Sequence, residues 1–184
     1  MAPYTPPMRR SLVIHPEFAC PALTALEVDV ERPGPNRLAL TWRLAGDLAG
    51  LHLPPRATPA RTDELWRRTC FEAFVRPQPG EAYFEFNLAP STQWAAYAFG
   101  GYRQGMADAD IAAPAIDITT ADGRLTLRTS LDIPSDAPWR LALSAVIEDA
   151  AGARSYWALA HPPGRPDFHH AAGFVLDLPT PERP

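Results

Sequence analysis

The sequence predicts an all-β domain, a sandwich or a barrel, of about ten short and mostly antiparallel strands. Several segments alternate apolar and polar residues with period two, which is typical of half-buried strands. The 22 prolines cluster between these segments, where a residue without an amide hydrogen ends a strand. No segment shows sustained helical periodicity. A chain of 184 residues suits one domain, which we expect over residues 9–179, with loose tails at 1–8 and 180–184.

The strands follow from the pattern in order. Period-two alternation is clearest in residues 23–31, 37–43, 123–131 and 139–147. Further strands are predicted at residues 70–75, 83–88, 93–99, 115–119, 155–160 and 173–178. Pro-Gly-Pro-Asn at 33–36 and Ala-Asp-Gly at 121–123 are typical of hairpin connections. Acidic residues before basic ones in 62–68 predict a single helical turn there.

Composition excludes several functions. All 17 basic residues are arginine, which rules out a mechanism through a lysine Schiff base. The net charge of −4 gives no basic excess, so we expect neither nucleic acid nor a membrane as partner. Cys20 and Cys70 are too few and too far apart for a disulfide scaffold or a zinc site. Because no apolar leader or long apolar run is present, we expect a soluble, cytoplasmic protein with free thiols.

The most informative stretch holds two adjacent predicted strands, 70–75 and 83–88, joined by a proline-rich turn. Antiparallel pairing turns the apolar triplets of both strands toward the core. The opposite face then gathers four side chains: Glu72, Tyr83, Glu85 and Asn87. Trp66 lies an even number of residues before Glu72, so an unbroken strand would add its ring to this face.

This mixture of groups suits sugar binding. Aromatic rings cover the apolar side of a pyranose, while carboxylates, amides and arginines bond its hydroxyls. Arg103 follows an aromatic run at 97–102 and is placed to border such a pocket. A simply hydrated outer face of an antiparallel sheet would carry the same residue types, so spacing alone leaves both interpretations open.

A second candidate region spans residues 146–170, where long loops on a rigid scaffold are typical sites of binding residues. Its candidates are Glu148, Asp149, Trp157, Asp167, Phe168 and His169. Three of the five histidines lie in this region. Neighbouring histidines on an extended chain point to opposite faces, however, and no paired ligand spacing accompanies them, so we predict no metal site.

No catalytic motif accompanies these candidates. The sequence lacks a G-x-S-x-G elbow, a P-loop and a dinucleotide fingerprint. Glu72 and Glu85 would form a glycosidase pair only in a cleft that held them about 5–9.5 Å apart. We therefore assign no catalytic residue and keep a small hydrolase with this pair as an alternative.

Several motifs point to a known family. They are LW-x3-CFE at 65–72, YFEFNLAPSTQWAAYAF at 83–99, YRQGM at 102–106, and the closing YWAL, PDFHH and F at 156–174. Over residues 12–178 the chain resembles the bacterial DOMON-like domains of the DOMON and family 9 carbohydrate-binding-module superfamily. It is most similar to the subgroup named for its association with UDP-N-acetylmuramate dehydrogenase.

The resemblance implies an immunoglobulin-like or jelly-roll β-sandwich that binds a small ligand. In sugar-binding relatives two aromatic rings form a slot, and an acidic residue and an arginine bond the hydroxyls. By motif, Trp66 resembles the first ring, Glu72 the acid and, more loosely, Arg103 the arginine. The pair at 148–149 resembles the polar end of the late strand, and 167–169 replaces the second ring.

Some relatives bind haem through axial Met and His ligands, for which Met106 and His161 or His169 are available. A haem or redox-cofactor domain is therefore an alternative that rests on analogy. A domain that docks another protein is a further one.

The function we predict is a non-catalytic module without a cofactor that binds a small molecule. The ligand we expect is a carbohydrate, such as a cell-wall or nucleotide sugar. The predicted ligand-binding residues are Trp66, Glu72, Glu85, Asn87, Arg103, Glu148, Asp149, Trp157, Asp167, Phe168 and His169.

Overall fold

The structure is a computed structural model that describes residues 7–181. Within that range the strands are β1 (Met8–Ser11), β2 (Val13–Ile14), β3 (Leu23–Gly34), β4 (Arg37–Gly46), β5 (Cys70–Pro77), β6 (Tyr83–Leu88), β7 (Trp94–Phe99), β8 (Ala107–Asp108), β9 (Ala115–Ala121), β10 (Arg124–Asp132), β11 (Trp139–Glu148), β12 (Arg154–Ala158) and β13 (Leu176–Leu178). Three 3₁₀ turns complete it, at Leu48–Gly50, Leu65–Arg67 and Ala171–Gly173. No helix in the described range has the length and apolar character of a membrane span.

The strands form two antiparallel sheets that pack face to face. Sheet A has the order β1-β3-β4-β10-β9. Sheet B has the order β2-β12-β11-β5-β6-β7-β8, with β13 paired to β11. The predicted β-sandwich of mostly antiparallel strands is therefore confirmed. The strands that the pattern missed are short: β1 has four residues and β2 and β8 have two each, too few to show a clear period.

The predicted tails fall partly outside the described residues, because 1–6 and 182–184 are not among them. Met8, assigned to the first tail, begins strand β1, which pairs with β3. The predicted strand at 173–178 starts as the 3₁₀ turn Ala171–Gly173, and only Leu176–Leu178 is extended. Cys20 and Cys70 are buried free thiols.

The main core lies between the sheets. Strands β4 and β10 bury every second residue, which is the alternation that predicted them. From sheet B, β5 contributes Phe71, Ala73 and Val75 to this core. Phe71 meets Trp42 of sheet A with ring centroids 5.4 Å apart. Each large side chain buried here stabilises the fold by about 1.5–3 kcal/mol.

Sheet B is also covered on its outer face. Strands β5 and β11 are buried at nearly every position, not at alternate ones. A second apolar cluster lies on this outer face and includes Phe74, Tyr83, Phe99 and Phe174. Phe168, from a loop late in the chain, packs against the same cluster. This cover turns an outer sheet face into a partly enclosed site.

Candidate ligand-binding site

The floor of the site is set by the register of β5 and β6. Glu72 lies opposite Asn87, and Glu85 lies opposite Phe74. The two glutamates therefore occupy diagonal positions on the outer face of sheet B, as the alternation predicts. Their exposed fractions are only 3% and 5%. The alternation did not predict this burial, because the covering loops come from distant parts of the chain.

A cavity of about 400 Å³ lies over these glutamates. This volume is within the ~300–1,000 Å³ that is usual for small-ligand sites. Aromatic and apolar lining comes from Trp66, Phe99, Met106, Val146, Tyr156, Pro166 and Phe168. Polar lining comes from Glu72, Glu85, Arg103, Arg154 and His169. The cavity thus combines ring surfaces with convergent polar groups.

Trp66 lines the cavity, but it does so from a turn and not from the predicted strand. It lies in the 3₁₀ turn Leu65–Arg67, as the helical-turn prediction for 62–68 requires, and not in a strand continuous with Glu72. Glu64 has a left-handed backbone, with φ of 61°, and Arg68 returns to the extended form. The ring packs against Tyr97 of β7, with centroids 6.1 Å apart.

The carboxyl groups on the floor are poorly compensated. Glu72 lies between Asn87 and Ser144 in the sheet register. Glu72 Oε1 and Ser144 Oγ are buried and have no hydrogen-bond partner among the described residues. Burial raises the pKa of Glu72 well above its usual range, and the neighbouring Glu85 raises it further. The floor therefore contains buried polar atoms that a ligand would satisfy.

Glu85 is compensated in part. Burial raises the pKa of Glu85 to about 7, although Asn87 Nδ2 donates a hydrogen bond to Oε1 at 2.8 Å. Because the neighbouring Glu85 also raises the pKa of Glu72, the pair favours the protonated form more than two separate surface carboxyl groups would. A floor of this kind can accept hydrogen bonds from the hydroxyl groups of a ligand and can also donate hydrogen bonds to them.

His169 forms one wall and is held from both sides. Its Nδ1 lies 2.7 Å from the Tyr83 hydroxyl, which accepts a hydrogen bond from the Arg103 backbone N–H. The other ring nitrogen, Nε2, lies 3.6 Å from Glu85 Oε2. Burial and, to a smaller extent, the nearby Arg103 lower the pKa of His169 to about 4, so the ring is neutral at pH 7.

Asp167 fastens the covering loop to the turn between β7 and β8. Its carboxylate accepts hydrogen bonds from the Tyr102 hydroxyl and from Arg103 Nη2, the latter at 2.8 Å. The His169 backbone N–H donates to the same carboxylate at 3.1 Å. Although burial opposes ionisation, these bonds hold the pKa of Asp167 below its usual range. Asp167 thus positions Arg103 and His169 at the cavity wall, which Phe168 also lines.

The predicted polar pair at the end of β11 is placed elsewhere. Glu148 accepts from Arg68 Nη1 at 2.7 Å, and its other oxygen lies 3.0 Å from His52 Nδ1. Asp149 caps the following turn by accepting from the backbone N–H groups of residues 151 and 153. Neither residue lines the cavity. Both carboxylates are already satisfied by the chain itself, so their position at a strand end reflects structure.

Trp157 is also corrected by the structure. It lies opposite Ala145, so its side chain points into the main core, where Nε1 donates to Ser155 Oγ at 3.0 Å. Its neighbour Tyr156 lies opposite Val146, and both line the cavity. Sequence reasoning missed Tyr156 and also Arg154, which is two residues away and shares its face. Period-two alternation counted back from Tyr156 is the signal that would have found Arg154.

The residues considered for metal or haem lie in different surroundings. Residues 7–181 contain no group of three or more His, Cys, Asp or Glu side chains placed to hold a metal ion. Met106 and His169 both line the cavity, but both ring nitrogens of His169 face Tyr83 and Glu85. His161 Nε2 lies 2.9 Å from the Val13 carbonyl oxygen. His161 Nδ1 is buried without a hydrogen-bond partner within residues 7–181.

No family model matches the sequence, and no curated protein matches it. Among solved structures the fold is similar to that of a protein from Bacteroides uniformis ATCC 8492 described as a "putative carbohydrate-binding protein". The TM-score is 0.68 at 13% sequence identity, over 91% of this chain and 84% of that one. At this identity the likeness defines the class of fold, a two-sheet β-sandwich.

Weaker likenesses are to a family 9 carbohydrate-binding module from Caldicellulosiruptor kristjanssonii. In its complex with cellotriose, the TM-score is 0.49 at 7% identity, over 76% of this chain and 67% of that one. In its complex with glucose, the TM-score is 0.46 at 9% identity, over 76% and 69%. Membership of the DOMON-like subgroup, with its dehydrogenase association, stays a prediction.

Proposed function

We propose that this chain is a non-catalytic module that binds a carbohydrate in the cavity over sheet B. The observation that carries the proposal is the pairing of ring walls with a floor of two buried carboxyl groups, one with an unbonded oxygen. A sugar hydroxyl would donate to Glu72 Oε1, while the Trp66, Tyr156 and Phe168 rings would cover C–H surface. The fold shared with a protein described as carbohydrate-binding supports this proposal.

The finer form of the proposal is a cell-wall or nucleotide sugar. Arg103 and Arg154 line the same cavity as the glutamates. A sugar with an acidic or phosphorylated substituent would place its hydroxyls on the floor and its negative group beside these guanidinium groups.

The test is calorimetric titration with a panel of sugars that includes glucose, N-acetylglucosamine, cellobiose and a UDP-linked sugar. We expect at least one to bind saturably. Trp66→Ala should then weaken that sugar about 5- to 30-fold, because a stacking contact is lost. Trp66→Phe keeps a ring at this place and should recover most of the affinity.

A second pair of variants tests the floor. Glu72→Leu should weaken the same sugar about 10-fold or more, because hydrogen bonds to its hydroxyls are lost. Glu148→Gln is the control, since Glu148 is equally buried but lies outside the cavity, and its affinity should equal that of the wild type. The proposal fails if no sugar binds, or if Glu72→Leu and Trp66→Ala bind as well as the wild type.

A hydrolase with Glu72 and Glu85 would use the same cavity, so turnover is what separates the two functions. We expect nitrophenyl glycosides of any sugar that binds to stay intact on long incubation. Release of nitrophenol that is lost in Glu85→Gln would replace the binding module with the hydrolase.

A further inference from the structure

A second cavity, of about 250 Å³, lies over the end of β5. Its lining includes Arg76, Glu81, Tyr102, His170 and Phe174. His169 lines both this cavity and the sugar cavity.

The unusual group in this cavity is Arg76. It is only 8% exposed, and within residues 7–181 its Nε is buried without a hydrogen-bond partner. A buried N–H donor that lacks an acceptor is costly. Its carbon Cζ lies 4.4 Å from the centre of the Phe174 ring, which compensates a small part of that cost.

The nearest carboxylate, that of Glu81, does not accept a hydrogen bond from Arg76. Glu81 Oε2 lies 3.6 Å from Arg76 Nη1, beyond hydrogen-bond distance, and the Glu81 side chain is 82% exposed. Arg140 lies opposite Arg76 on the neighbouring strand. Unlike Arg76, it has a carboxylate partner, because its Nε donates a hydrogen bond to Asp177 at 2.9 Å. One arginine of this pair is satisfied within the fold, and the other is turned toward a cavity.

We propose that the cavity over Arg76 is an anion subsite that takes a carboxylate or a phosphate group. The guanidinium would donate two parallel hydrogen bonds to such a group, and Glu81 would turn out to solvent. His170 adds a donor, because its Nδ1 accepts from the Ala172 backbone N–H and its proton is therefore on Nε2.

The experiment follows the Arg76 Nε–H signal by NMR during titration with inorganic phosphate and, separately, acetate at constant ionic strength. We expect a saturable shift of that signal with at least one anion. Saturation by phosphate alone or by acetate alone identifies the group that is bound. Arg76→Gln should lose the site, as read from the nearby Tyr102 and His170 signals.

Glu81→Gln decides between a subsite and a structural pair. Because Glu81 competes with the anion for Arg76, its removal should tighten anion binding about 2- to 5-fold. This variant keeps Arg76 and stays informative if Arg76→Gln does not fold. Arg140→Gln is the matched control and should leave anion binding unchanged, because Arg140 does not line the cavity.

The inference is overturned if neither anion saturates the Arg76 signal in the wild type and in Glu81→Gln. It is also overturned if Glu81→Gln lowers the free energy of unfolding and leaves anion binding unchanged. Trp66→Ala should leave anion binding intact, so failure of the sugar site and failure of this subsite are distinguishable.

Discussion

The outer faces of the two sheets handle buried carboxylates in opposite ways. On sheet A, Asp29 is 6% exposed and accepts from Arg9 Nε at 2.8 Å and from Arg43 Nη1 at 2.6 Å. The Arg9 hydrogen bond in particular holds the pKa of Asp29 below its usual range. On sheet B, Glu72 is as deeply buried, yet one of its oxygens has no partner within residues 7–181 and burial raises its pKa.

The difference separates a structural charge from a group that is available for binding. The chain supplies arginines where a buried acid needs them, and neighbouring strands provide them at the right register for Asp29. On sheet B the nearest arginine of the wall, Arg103, bonds to Asp167 and not to the floor. An unsatisfied buried acid in a cavity is therefore better explained by a ligand than by folding.

The largest expected effect that tests this contrast is the pH dependence of Glu85→Gln. The pKa of Glu85 is about 7 in the fold and near 4.5 ordinarily. The folded state thus keeps a proton that the unfolded chain loses, and the wild type loses stability as pH rises from about 4.5 to 7. The loss is on the order of 3 kcal/mol. Glu85→Gln escapes it, so its free energy of unfolding relative to the wild type should rise by that amount.

Urea unfolding at pH 4.5, 6 and 8 measures this difference. His169 acts in the opposite direction, because its pKa falls to about 4 and the folded state gains stability as pH rises toward 6.5. In His169→Gln the decline caused by Glu85 should therefore be steeper than in the wild type. A relative stability of Glu85→Gln that is flat with pH would show that the floor is solvated.

A smaller effect with the opposite sign is expected on sheet A. Asp29→Asn should lower the free energy of unfolding by about 1–2 kcal/mol at pH 7, less than for a fully buried pair because Arg9 is exposed. Because the folded pKa of Asp29 is depressed, this stabilisation is present above pH ~4 and is lost as pH falls through the folded value. Thermal unfolding at pH 3 and 7 tests this, and an equal deficit at both would contradict the pairing.

The smallest effect is expected at Glu148. Glu148→Gln weakens contacts to Arg68 and His52, whose side chains are largely exposed, so we expect a loss of about 0.5–1 kcal/mol. Stability measured by urea unfolding should fall while sugar affinity stays constant. A change in sugar affinity would show that Glu148 takes part in binding.

The period-two alternation of the sequence predicted most of the strands and part of the candidate site. Period two correctly assigned the faces of β5 and β6, and with them the common face of Glu72 and Glu85. Alternation could not distinguish Tyr156 from Trp157, because two adjacent aromatic residues fit a core on either side. Which of the two rings faces the cavity depends on the register between β11 and β12, and the sequence of β12 alone does not determine that register.

The cover over sheet B could not be predicted in the same way. Glu85 and His169 are far apart in sequence, although they meet in the fold. His169 lies in the loop after β12, which is proline-rich and shows no hydrophobic period. Glu148 and Asp149 looked like binding residues because strand ends often are, but their partners lie in other loops or in the next turn. Arg76 gave no signal, since its significance lies in the acceptors that it lacks.

The imidazole that lines both cavities has a practical consequence. Because His169 borders each of them, a smaller residue at this position would enlarge both cavities and admit a larger ligand. A larger residue would narrow both of them. Residue 169 is therefore the place where the size of molecule accepted by this scaffold could be re-engineered without touching either sheet.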